Sequence, residues 1–144
     1  MAAGRADALT PMATPVPRFT ELTPMLKTAD LARTIEFYTA VLGFSCEASW
    51  PAGTPTWCSL NRDAATIMFF SDDLHDETPP RMTGVLYIRT DDVLALHALL
   101  KDKVKVLWGP EVFHYGMHEF AIEECNGYTL SFGQPTDAPP TSPE

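Results

Sequence analysis

A stretch near the start of the chain returns 62 residues later. Met25-Leu-Lys-Thr-Ala-Asp30-Leu matches Tyr87-Ile-Arg-Thr-Asp-Asp92-Val in kind: an apolar pair, a basic residue, Thr, a spacer, Asp and an apolar residue. The same offset, within one residue, relates Thr66-Ile-Met-Phe-Phe70 to Thr129-Leu-Ser-Phe132. Two copies of one supersecondary unit are implied, and a fold built twice from one unit admits few topologies.

Each copy reads as strand, helix, then three strands. In the first, Leu22 to Lys27 is extended and Asp30 stands where a side-chain oxygen satisfies free helix N–H groups. Leu31, Thr34, Ile35, Tyr38, Val41 and Leu42 recur at helical spacing, and Gly43 supplies a left-handed C-terminal cap. Strands Phe44 to Trp50, Thr56 to Asn61 and Thr66 to Ser71 follow, separated by turns at 51–53 and 62–63. In the second copy, strand Val85 to Arg89 precedes a helix from Val93 to Lys101. Strands near Lys105 to Val112, Glu119 to Ile122 and Tyr128 to Phe132 then follow, with a turn at Asn126-Gly127. The chain is predicted to be α+β, with module one at 19–71, a polar linker at 72–82 and module two at 83–133. Residues 1–18 and 134–144 are Pro-rich, with too few apolar side chains to offset ordering entropy, and read as tails. Met12 opens a shorter alternative to a start at Met1.

Composition narrows the function. The length, 144 residues, suits one domain with a core, and no apolar run approaches the ~20 residues of a membrane span. Cys46, Cys58 and Cys125 make an odd number with no CxxC pair, which disfavours a disulfide framework or a zinc knuckle and fits a reducing cytoplasm. The N-terminus lacks the apolar core of a secretory signal. A net charge of -9 repels nucleic acid and anionic membranes and favours cationic guests.

Two segments carry a family resemblance. Asp30-Leu-Ala-Arg-Thr-Ile-Glu-Phe-Tyr-Thr-Ala-Val-Leu-Gly-Phe44 resembles the opening strand-helix signature of the vicinal-oxygen-chelate superfamily. Tyr115-Gly-Met-His-Glu-Phe-Ala-Ile-Glu-Glu-Cys-Asn-Gly-Tyr128 resembles its closing segment, especially in bleomycin-resistance proteins. The resemblance implies two tandem βαβββ modules whose curved mixed sheets form a cleft. It also implies four metal-ligand positions in the family's metalloenzymes, which fall here on Thr23, Met68, Val85 and Ser131. None is an imidazole, carboxylate or thiolate, so no metal, no cofactor and no catalytic residue is assigned.

If those four positions face the cleft, alternation along the strands brings Met25, Phe70, Tyr87 and Thr129 in with them. Trp57 and Tyr115 are expected at the rims, and Glu119 beside the cleft can pair with a cationic group or act as a base if buried. Such a lining suits an aromatic guest held by stacking and burial, unless these residues close into a filled core. His75 and His97 read as solvent-facing, and Cys46 and Cys58 as packing residues. His118-Glu119 begins like a metalloprotease helix but lacks the second His, and in an extended segment His114 and His118 stand ~13 Å apart. The expected protein is a metal-free homodimeric binder of a hydrophobic, aromatic or cationic small molecule, in the manner of bleomycin-resistance proteins. One alternative is an enzyme of the same fold, with a metal on atypical ligands or with Glu119 or Tyr87 as acid or base. The other is an interaction module with a filled cleft.

Overall fold

A computed structural model describes residues 16–72 and 78–142; His75 lies outside them. The first module runs β1 (Met25–Lys27), α1 (Leu31–Glu36), a π-helical turn (Phe37–Val41), β2 (Ser45–Trp50), β3 (Trp57–Arg62) and β4 (Ala65–Phe70). The second runs β5 (Leu86–Arg89), α2 (Val93–Leu100), β6 (Lys105–Phe113), β7 (Met117–Glu123) and β8 (Thr129–Pro135). The sheets have orders β1-β4-β3-β2 and β5-β8-β7-β6, so the duplication in sequence is a duplication in topology. In each, the first strand lies parallel to the last and the other pairs are antiparallel.

Both helices start where the repeated aspartates fall. Asp30 Oδ1 accepts from the Arg33 N–H and Asp92 Oδ1 from the Ala95 N–H, each at 3.0 Å. The first helix departs from the single helix expected over 31–42. After Glu36 the backbone widens, with the Leu42 N–H reaching the Phe37 carbonyl five residues back. Here the Thr39 hydroxyl donates to the Ile35 carbonyl at 2.7 Å, competing with the helical ladder. Gly43, at φ +74, closes the helix, and the Phe44 N–H returns to the Tyr38 carbonyl.

Each sheet covers one face with its helix. Cys58, Leu60, Ile67 and Phe69 join Leu31, Tyr38, Leu42 and Phe44, while Phe120, Ile122, Leu130 and Phe132 join Val93 and Leu100, all in one contiguous core. Two expectations need correction. His97 is not simply solvent-facing: its ring meets Phe120 edge-on at 5.2 Å, because α2 lies against β7. Cys58 is buried as expected, but Cys46 is exposed, since β2 is an edge strand with every residue open to solvent.

Buried polar groups join the modules. The Glu124 carboxylate accepts from the Tyr38 hydroxyl at 2.7 Å and from the backbone N–H groups of Asn126 and Tyr128 at 2.5 and 3.1 Å. Asn126 Oδ1 accepts from the Thr28 hydroxyl, and the Tyr128 hydroxyl donates to the Lys27 carbonyl. Strand β8 runs to Pro135, past the expected end at Phe132, and Thr141 exchanges hydrogen bonds with the Val112 backbone. No helix among the described residues is long and apolar enough to cross a membrane.

Candidate functional site

The face of each sheet turned away from its helix is open. In the second sheet, register puts Tyr87, Ser131, Ala121 and Trp108 in one cross-strand row, and Arg89, Gly133, Glu119 and Glu111 in the next. Over these rows lies a hollow of about 480 Å³, lined by Val85, Tyr87, Tyr115, Glu119 and Ser131 together with Arg89, Trp108 and Met117. Five of the ten residues expected at the site therefore meet in one place.

Glu119 is the centre of this hollow. It is only 4% exposed, and its two oxygens accept separate phenols: Oε2 takes the Tyr87 hydroxyl at 2.5 Å and Oε1 the Tyr115 hydroxyl at 2.9 Å. Among the described residues no Lys, Arg or His forms an ion pair with it. Burial first, and then the hydrogen bond and charge of Glu119, hold both phenols above their ordinary value of 10; Arg89 opposes this at Tyr87. Ser131, beside them, is 2% exposed, and its hydroxyl has no hydrogen-bond partner among the described residues.

Local structure explains the aim of each group. Tyr115 sits at the tip of the β6–β7 hairpin and stacks on Phe113, with ring centres 5.4 Å apart and planes 7° from parallel. Tyr87 crosses the sheet toward β7 by lying over Gly133, where a Cβ would overlap its hydroxyl. Trp108 sits between two register shifts of β6, next to Gly109 at φ +81, whose missing Cβ lets the Glu119 carbonyl approach.

The other five expected residues do not reach this hollow. Met25 and Met68 are register partners on the open face of the first sheet, and Phe70 pairs with Trp57 there, beside Trp50. Thr23 precedes β1 and bonds to Glu21 at 3.2 Å; the strand begins only after Pro24, which has no N–H to give. Within this chain the expected lining is thus split, five residues meeting at the second sheet and the others lying at or beside the first. A hollow of about 590 Å³ between the modules has an apolar floor including Leu42, Phe44 and Leu100. Its Arg62 is already engaged by the Leu42 carbonyl at 2.8 Å and by Asp63, and no buried polar groups converge there.

His118 pairs in register with Val112 and Gln134, one residue out of phase with Glu119, and so faces the other side of β7. The positions implied for a metal offer Met68 on one sheet, Ser131 on the other, and Thr23 and Val85 ahead of the first strand of each. These side chains do not fit a divalent ion. Arg89, Trp108, Met117 and Gly133 were not anticipated, although three of them lie two residues from Tyr87, Glu119 and Ser131 and follow from the same alternation.

A duplicated βαβββ chain with an open, aromatic-lined sheet face defines a class by its architecture. The chain belongs to the glyoxalase/bleomycin resistance protein/dioxygenase superfamily, whose family model matches residues 22–132. No curated protein sequence matches it. Among solved structures, TnmS3, an antibiotic binding protein from Streptomyces sp. CB03234, is 23% identical with a TM-score of 0.67, covering 84% of this chain and 100% of that one. A bleomycin resistance determinant encoded on the transposon Tn5 is 23% identical with a TM-score of 0.63, covering 83% and 100%. The bleomycin-binding protein of bleomycin-producing Streptomyces verticillus, in complex with copper(II)-bleomycin, is 17% identical with a TM-score of 0.60, covering 86% and 100%. At these identities the likeness is one of fold.

Proposed function

We propose that the protein binds and sequesters an aromatic, cationic small molecule over the second sheet, without a metal, and works as a homodimer. The observation that carries this reading is Glu119: a buried carboxylate held by two phenols and lacking a cationic partner among the described residues. A buried anion is costly without a counter-charge, and a cationic guest supplies one. Tyr87, Tyr115 and Trp108, 46%, 56% and 38% exposed, offer ring faces for stacking and cation–π contact. The antibiotic-binding relatives of the same fold support a binder. The dimer is supported by the half-sites: Met25, Trp57, Met68 and Phe70 form an apolar open face that a single chain leaves uncovered beside the hollow's own.

Titration with a cationic aromatic dye, followed by quenching of Trp108 emission, tests the binding. Micromolar quenching is expected, lost in Trp108→Phe as signal and reduced at least about tenfold in affinity in Glu119→Gln. No quenching at millimolar dye, or equal affinity in Glu119→Gln, rejects the reading. Native mass spectrometry of the same sample is expected to give a dimer without a stoichiometric transition metal.

A catalytic reading rests on the short Tyr87–Glu119 hydrogen bond, which also joins an acid to a base. Turnover abolished by Glu119→Gln while guest affinity persists would favour it.

A further inference from the structure

The protons of the two phenols at the centre of the hollow are already assigned, and this restricts what a guest must bring there. A phenol carries one hydrogen. Tyr87 and Tyr115 each give theirs to Glu119, so toward the hollow both can present only lone pairs. The carboxylate has no hydrogen to give. The indole N–H of Trp108 and the guanidinium of Arg89 are donors on the more exposed part of the lining, and Arg89 makes no ion pair with Glu119. Of the buried groups at the centre, Ser131 alone can donate or accept, and its hydroxyl meets no partner among the described residues. An unmet buried hydroxyl costs about 1–3 kcal/mol, which points to a group supplied from outside the chain.

Resting on the aromatic-cation reading above, we infer that the hollow selects a cation rich in N–H donors, a primary ammonium or amidinium borne on an aromatic group, and discriminates against quaternary ammonium. Tyrosine and tryptophan faces by themselves hold a quaternary ammonium well. Such a guest has no hydrogen to give, however. Seating it would strip water from the lone pairs of Tyr87, Tyr115 and Glu119 and return nothing. A primary ammonium offers three hydrogens to this array and satisfies Ser131 with the same group. A neutral alcohol on the same ring brings one donor and leaves the carboxylate uncompensated.

The test is calorimetric titration of the intact protein with three probes on one ring system: 2-naphthylmethylammonium, its N,N,N-trimethyl derivative and 2-naphthylmethanol. The primary ammonium is expected to bind most tightly, with the trimethyl compound at least about tenfold weaker. In Glu119→Gln, folded by its thermal melt, the amide brings its own N–H donors and no charge, and that preference should shrink to within about threefold. If that variant does not fold, the ranking of the three probes on the unaltered protein carries the test. Equal binding of the trimethyl and primary cations overturns the donor inference and leaves the aromatic-cation reading standing. Equal binding of the alcohol overturns that reading and the inference with it, as does failure of all three probes to bind.

Discussion

Gly133 stands between Arg89 and Glu119 in one cross-strand row, and a methyl group there would take the place of the Tyr87 hydroxyl. Gly133→Ala should therefore push Tyr87 off Glu119 and cost about 1–3 kcal/mol, the scale of a hydrogen bond to a charged group. In a Tyr87→Ala background the same substitution should become neutral or mildly stabilising, because alanine suits a strand better than glycine once the space is free. Urea denaturation of the four proteins measures the coupling; equal effects in both backgrounds would disprove the packing argument. Tyr87, Glu119 and Ser131 were legible because alternation carries a face from one residue to the next but one. The burial of Glu119 was not: its acceptors are filled by Tyr87 from another strand and by Tyr115 from the hairpin tip, and strand register and turn geometry, not periodicity, set both distances.

Between elements, the turn joining β7 to β8 does more than reverse the chain. Gly127 at φ +87 makes the reversal, as the Asn126-Gly127 pair predicted. Glu124 both caps that turn and reaches the Tyr38 hydroxyl in module one. Burial and the charge of Glu124 hold this phenol far above its ordinary range. Glu124→Gln should destabilise the protein by about 1.5–3 kcal/mol, since an amide weakens three charge-assisted bonds. Tyr38→Phe should cost less, and the pair should be sub-additive in a double-mutant cycle of urea midpoints. Full additivity would mean the modules are not coupled through this contact. Helix starts were readable because Asp30 and Asp92 cap locally. The π-helical turn and the register shifts around Trp108 were not, because both depend on packing: Tyr38 against Phe44 and Phe69, and Gly109 against the β7 backbone.

For the whole molecule, burial leaves a signature in pH. Desolvation raises the Cys58 and Cys125 thiols from 9 to about 11, and raises the Tyr38 and Tyr128 phenols as well. The folded state thus keeps protons that the unfolded chain releases, so the slope of stability with pH is negative in that range. Urea midpoints should hold between about pH 7 and 9 and fall steadily as pH rises toward 11. A flat profile to pH 11 would contradict the burial of these groups. The α+β class, the two-module order, the helix caps and the alternating faces were present in the sequence, because repeat spacing, periodicity and capping chemistry act over a few residues. Tertiary structure alone decided that the ten expected residues do not meet in one place, that Glu119 is buried without a counter-charge among the described residues, and that Gly133 makes room for Tyr87. Each of these is a contact between strands far apart in the chain, where register and packing set the distance.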